Sequence, residues 1–174
     1  IVSGEAHSGK CSLAIKGKVA SSAFNFSQYS DVSGQVEGSL TSFCQSLTLS
    51  GKVRRNVMAF SADILVAREA VIEGQLIAFT GNLDFEGEAR KGLSVHCDEV
   101  VIAGKIKGDV RIEADKIIIL EGAVIDGNLK YKSHKPAKID STALITGEIK
   151  WTEMAAKDKK GGFYRKFGLF NTAL

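Results

Sequence analysis

The run Gly104-Lys105-Ile106-Lys107-Gly108-Asp109-Val110 constrains this chain more than any other feature. It reads as a small residue, any residue, an aliphatic, any residue, Gly, any residue, an aliphatic. The same pattern recurs at Gly17–Ala23, Gly34–Leu40, Gly51–Val57, Ala70–Leu76, Gly87–Leu93, Ala123–Leu129 and Ala143–Ile149. Some copies are degenerate: Gly17–Ala23 and Gly51–Val57 lack the second Gly, and Lys91 replaces it in Gly87–Leu93. Copies follow one another every 17 to 20 residues, a spacing that marks a solenoid. A longer repeat agrees with this. Gly34–Phe79 overlays Gly87–Lys132 without a gap, with Gly34, Leu40, Cys44, Gly51, Lys52, Val57, Ile64, Ala70, Val71, Ile72, Gly74 and Leu76 falling on identical residues.

Within each period the apolar residues alternate: Leu47, Leu49, Val53 and Val57; Val100, Ile102, Ile106 and Val110; Ile117, Ile119, Ile125 and Leu129. A period of two means a strand with one face buried. Each coil has room for three short strands and three corners, and stacked coils pair as parallel sheets. Two aliphatic columns result. One is Val19, Val36, Val53, Ile72, Ala89, Ile106, Ile125 and Ile145; the other is Ala23, Leu40, Val57, Leu76, Leu93, Val110, Leu129 and Ile149. No coil can bury its inner face alone, so stacking makes the core. The expected fold is all-β: a single-stranded parallel β-helix, or β-solenoid, of about eight coils running from Cys11–Phe26 to Ser133–Trp151, with a short C-terminal tail. Residues 1–10 are a leader or N-terminal cap, 11–151 the β-helix, and 152–174 a basic-aromatic tail. The coils Ser61–Phe79, Ala114–Lys132 and Ser133–Trp151 are longer, which implies larger corners before the run.

Composition narrows the function classes. An apolar content of 44% is too high for a disordered polymer. A net charge of +3, evenly spread, gives no footprint for nucleic acid. A single proline and 18 glycines suit strands joined by tight corners. With no apolar run of 18 residues, neither a signal peptide nor a transmembrane helix is expected within this sequence, and a start at Ile1 reads as a trimmed or processed chain. Three cysteines make no disulfide framework. Cys44 and Cys97 occupy equivalent places three coils apart, about 14 Å, and read as small buried thiols in one column.

Phe26, Phe43, Phe60 and Phe79 close four successive coils, where His96, Glu113, Lys132 and Trp151 close the rest. This ladder is either core or corner packing, or a lateral or end-to-end contact surface. In the tail, Phe163, Phe167, Phe170 and Leu174 recur at helical spacing with Tyr164, Arg165 and Lys166 among them. Such a segment caps the last coil, approaches a membrane surface or precedes a membrane span, or is a disordered end.

Signs of chemistry are thin. His96-Cys97-Asp98 is the one His/Cys/Asp cluster, but adjacent strand residues point to opposite faces and would not share an ion. His7 and His134 are expected to be solvated. Arg54, Arg55, Arg68, Arg90 and Arg111 are scattered away from acids, and Gly104-x-x-x-Gly108 has no following Lys-Ser/Thr, so these are corner glycines rather than a phosphate loop. No catalytic residue, metal or cofactor is assigned.

Val100-Val101-Ile102-Ala103-Gly104-Lys105-Ile106-Lys107-Gly108-Asp109-Val110, followed by Ala123-Val124-Ile125-Asp126-Gly127-Asn128-Leu129, resembles the bactofilins, the polymer-forming cytoskeletal proteins. Asn128–Ser133, Ala137–Asp140 and Ala143–Ile149 are similar to the bactofilin-related repeats of larger bacterial envelope proteins, where membrane helices follow the β-helix. The resemblance implies a right-handed β-helix of a bacterium that polymerises end to end without nucleotide and associates with membranes, on either the cytoplasmic or the outer side. The expected function is a non-enzymatic structural scaffold whose partner is itself. Its N-terminal contact surface is expected at Leu13, Ile15, Val19 and Phe24, and its C-terminal one at Ile139, Ile145, Ile149 and Trp151. Phe163, Tyr164, Arg165, Lys166, Phe167 and Phe170 are the membrane or cap candidates. The alternatives are a monomeric envelope-anchored module acting as a spacer or partner-binding wall, and an enzyme built on the β-helix.

Overall fold

The computed structural model describes residues 2–7 and 10–154. They form a β-solenoid of parallel coils, with no helix among the described residues. Each coil contributes one strand to each of three parallel ladders, which form three faces. Cys44–Phe60 is typical: Ser46–Leu49 lies on the first face, Lys52–Val53 on the second and Val57–Phe60 on the third. The second face is an eight-stranded sheet. The first and third are joined into one 15-stranded sheet, because Leu93–Ile102 and Val110–Ile119 each run unbroken round the corner between them.

The register is the one that the repeat dictates. Val53 pairs with Val36 and Ile72, and Ile106 with Ala89 and Ile125. Val57 pairs with Leu40 and Leu76, and Val110 with Leu93 and Leu129. Both columns are buried through the middle coils, and each such aliphatic contributes about 1.5–3 kcal/mol. Cys44 and Cys97 fall in one column with Ser61 and Thr80, at the corner after the third face. Cys97 is buried and Cys44 partly so.

The corners explain where glycine and the extra residues fall. A Cβ at Gly104 would sit 2.2 Å from the carbonyl oxygen of Gly87 in the coil below, so only glycine allows that approach. Gly92 and Gly108 take φ near +95°, the left-handed region that disfavours side chains. In the longer coils the extra residues make a turn before the run. Ala70 N–H donates to Ala67 O, Ala123 N–H to Leu120 O, and Ala143 N–H to Asp140 O. The corner after the second face is braced between coils by polar side chains: Asn56 Oδ1 accepts from Gln75 N–H, Asp109 Oδ1 from Asn128 N–H, and Asn128 Oδ1 from Glu148 N–H.

Candidate interaction surfaces

Among the described residues, no strand stacks above the three strands of the last coil, Lys138–Ile139, Leu144–Ile145 and Ile149–Glu153. Ile149 pairs with Leu129 and Trp151 with Tyr131, so both continue inward-facing columns. Leu129 and Tyr131 are buried, whereas Ile149 is 48% and Trp151 40% exposed. Ile139 and Ile145 pack partly against the core. Trp151 Nε1–H donates to Ser133 O at 3.3 Å, which holds the ring across the end. All four residues expected at the C-terminal end lie in this coil.

The N-terminal end is built differently. Val2–His7 pairs antiparallel with Lys10–Ile15, from Val2↔Ile15 to His7↔Lys10, and occupies the first-face edge. Lys18–Val19 and Ala23–Phe26 remain the outermost strands of the second and third faces. The core just behind them combines buried Val36 and Leu40 with a polar cluster. Asn25, Ser30 and Ser42 are buried, and Asn25 Nδ2–H donates to Ser30 Oγ at 2.6 Å and Ser42 Oγ at 3.0 Å. Ile15 is 1% exposed, while Leu13 and Val19 are partly buried against the core. Phe24 does not face the end: it lies outside the third face at 68% exposure, because it follows the inward Ala23 by one residue. The expected N-terminal surface is therefore not one continuous apolar patch.

The Phe ladder also lies outside the wall. Leu40 points in, and Phe43, three residues later, points out. Phe26, Phe43 and Phe60 stack with centroids 4.7 Å apart, and Phe60 and Phe79 at 5.1 Å. Interplanar angles are between 2° and 7° along these contacts. Phe26 is 70% exposed. His96 continues the row at 6.3 Å from Phe79, with Nδ1 3.7 Å from Glu113 Oε2. Beside this row runs a second one: Phe24, Thr41, Met58, Ile77, Ser94, Arg111, Lys130 and Lys150. Between the two rows a shallow groove of about 500 Å³ crosses the C-terminal coils, lined by Phe79, His96, Arg111, Lys130, Lys132 and Lys150 among others. Strand parity, read from the aliphatic columns, was the signal that would have put the aromatics outside.

The second face is an ionic lattice by contrast. Glu37 takes Lys18 at 2.8 Å and Arg54 at 2.7 Å; Glu73 takes Lys52 at 2.7 Å and Arg90 at 3.7 Å. The Lys18 hydrogen bond holds the Glu37 carboxyl below its usual range, and Lys52 does the same for Glu73.

The groups of the His96-Cys97-Asp98 cluster diverge. His96 and Asp98 are exposed outside, while Cys97 points inward. Burial pushes the Cys97 thiol up to about 12, which leaves it protonated and unreactive. Among the described residues no three His, Cys, Asp or Glu side chains group to hold a metal ion. His134 is half-buried rather than solvated: Nε2 lies 3.4 Å from Asp115 Oδ1 and Nδ1 3.3 Å from Met154 O. Among the described residues no helix is long and apolar enough to cross a membrane. The tail candidates Phe163, Tyr164, Arg165, Lys166, Phe167 and Phe170 lie outside the described residues. Compared with family models, curated proteins and solved structures, the chain gives no match.

Proposed function

We propose that this chain is a non-enzymatic structural scaffold that assembles through the ends of its β-solenoid and associates with a membrane through its basic-aromatic tail. The observation that carries the reading is the last coil. Among the described residues its strand Ile149–Glu153 pairs along one edge only, and the core column beneath emerges at Ile149 and Trp151. A bare strand edge recruits another strand, and an apolar column recruits apolar cover. A second copy offers both.

The test is electron microscopy and sedimentation of the full chain. The wild type forms species larger than one chain. Ile149→Glu or Trp151→Glu leaves monomers whose circular dichroism is unchanged. Unaltered sedimentation of both variants would overturn end-to-end assembly. A second reading, a monomeric envelope-anchored module, is favoured by Val2–His7, which already occupies one edge at the N-terminal end. In that case the wild type is itself monomeric, and removal of residues 155–174 abolishes its binding to vesicles.

A further inference from the structure

The outer side of the third face carries two features that the fold does not require. The first is its cation row. Arg111 pairs in register with Lys130, and Lys130 with Lys150, so three cations stand on successive coils about 4.8 Å apart. Like charges opposite one another destabilise a sheet. None of the three forms an ion pair among the described residues. Asp109 feels Lys130 and Arg111, but its carboxylate is committed to the backbone and side chain of Asn128. Glu113, in the neighbouring row, faces His96. On the second face of the same molecule, Glu37, Arg54, Glu73 and Arg90 alternate in sign on successive coils and are linked by ion pairs. The row of three unpaired cations on the third face thus contrasts with the paired charges of the first five coils on the second face.

The second feature is the absence of charge further along. From Phe24 to Ser94 the outward positions of the third face hold no Lys, Arg, Asp or Glu; Phe24, Phe26, Met58 and Phe79 are each more than a third exposed. The apolar stretch spans four coil steps by one short strand. That is about 19 Å by 13 Å, far short of the about 800 Å² per partner that a stable protein interface needs. A second copy of the chain is therefore a poor occupant. A surface that offers phosphates and hydrocarbon side by side fits both halves at once.

We propose that the outer side of the third face is a contact surface for an anionic lipid bilayer. The solenoid lies on its side. Its aromatic ladder enters the boundary between headgroups and acyl chains, and Arg111, Lys130 and Lys150 take lipid phosphates. The inference deepens the membrane part of the proposed function and is independent of assembly through the ends.

The test is co-sedimentation of the full chain with phosphatidylglycerol–phosphatidylcholine vesicles and with pure phosphatidylcholine vesicles. Three variants are compared: Lys130→Glu/Lys150→Glu, Phe24→Ser/Phe26→Ser, and the tail variant Phe163→Ser/Phe167→Ser/Phe170→Ser. The wild type binds the anionic vesicles and not the neutral ones. The lysine reversal weakens binding about tenfold or more, since each cation near an anionic surface contributes materially. The phenylalanine variant also weakens it, while the tail variant keeps a salt-sensitive remainder. Circular dichroism and sedimentation without lipid establish that the face variants fold and assemble as the wild type does, so loss of lipid binding is separated from loss of assembly. The proposal is overturned if both face variants bind like the wild type and the tail variant alone loses binding. It is equally overturned if vesicles are ignored and an acidic polypeptide such as polyglutamate is bound instead.

Discussion

The two ends of the solenoid are made from one repeat and finished in opposite ways. At the C-terminal end the repeat stops at Ile149–Glu153, and the inward columns come to the surface as Ile149 and Trp151. At the N-terminal end an antiparallel strand, Val2–His7, lies along the first-face edge, and the core behind is hydrogen-bonded through Asn25, Ser30 and Ser42. Parallel stacking of a further coil on that edge has no free partner, because an antiparallel strand uses the same backbone groups. A stacked architecture therefore does not have two equivalent sticky ends. Among the described residues it has one end where the apolar columns surface and one that is partly paired, so the proposed assembly would gain most at the C-terminal coil.

The largest effect that can test this difference lies in one column. Leu129 is fully buried, and Ile149 is its neighbour one coil on, half exposed. Leu129→Ala removes a closely packed side chain and costs about 2–5 kcal/mol. Ile149→Ala in the dilute monomer costs about 1 kcal/mol or less, since much of its area is already in water. Denaturant titration at low and high protein concentration measures both. If the C-terminal end is covered by a second copy, the cost of Ile149→Ala rises with concentration and approaches that of Leu129→Ala. Equal costs at every concentration would mean that something within the chain already covers that end.

The next effect concerns Val2–His7. Removing residues 2–7 frees the edge of Lys10–Ile15, which is paired along six residues. The concentration for half-assembly is expected to fall about tenfold, equivalent to about 1.4 kcal/mol per contact. Analytical ultracentrifugation reads it directly. An unchanged midpoint would show that the antiparallel strand is not what distinguishes the N-terminal end.

What could be read from the chain and what could not follows from the period of the signal. The coil repeat fixes the inward columns, because every coil repeats the same aliphatic at the same place, as Ile106 does beneath Ile125. The corner turns at 67–70, 120–123 and 140–143 were visible as extra residues. Phe24 was misplaced because its aromatic character suggested an apolar end, whereas its odd distance from the aliphatic column sets it on the outside. The same parity puts Phe26, Phe43, Phe60 and Phe79 outside. Val2–His7 carries no copy of the run, so the coil pattern gave no sign of its pairing with Lys10–Ile15. His134 was placed in solvent because its partners are distant in sequence: Asp115 lies in the preceding coil and Met154 just past the end of the last coil, and the three meet only after winding.

The smallest effect separates the ends by what ties them down. The first coil is fastened to the next, Ser27–Phe43, by Lys18 and Glu37, 2.8 Å apart. The turn of coil eight is fastened locally, with Asp140 Oδ1 accepting from the Thr142 backbone N–H at 2.9 Å and hydroxyl at 2.7 Å. Both carboxyls are held below their usual range, Glu37 chiefly by the Lys18 hydrogen bond and Asp140 by the Thr142 backbone hydrogen bond. A depressed carboxylate contributes stability that is present above its unfolded value and lost as pH falls through its folded one. Both ends should thus loosen only below about pH 4. Salt tells them apart. At about 1 M salt the screening length is about 3 Å, so the exposed ion pair weakens while the neutral-donor hydrogen bonds persist. Hydrogen exchange at neutral pH should then quicken at the Glu37 amide, which donates to Val19 O, and stay unchanged at the Leu144 amide, which donates to Ala123 O. A matching response at both amides would mean that the first coil is held by its strand pairing alone, and that the ion pair adds nothing to the distinction between the ends.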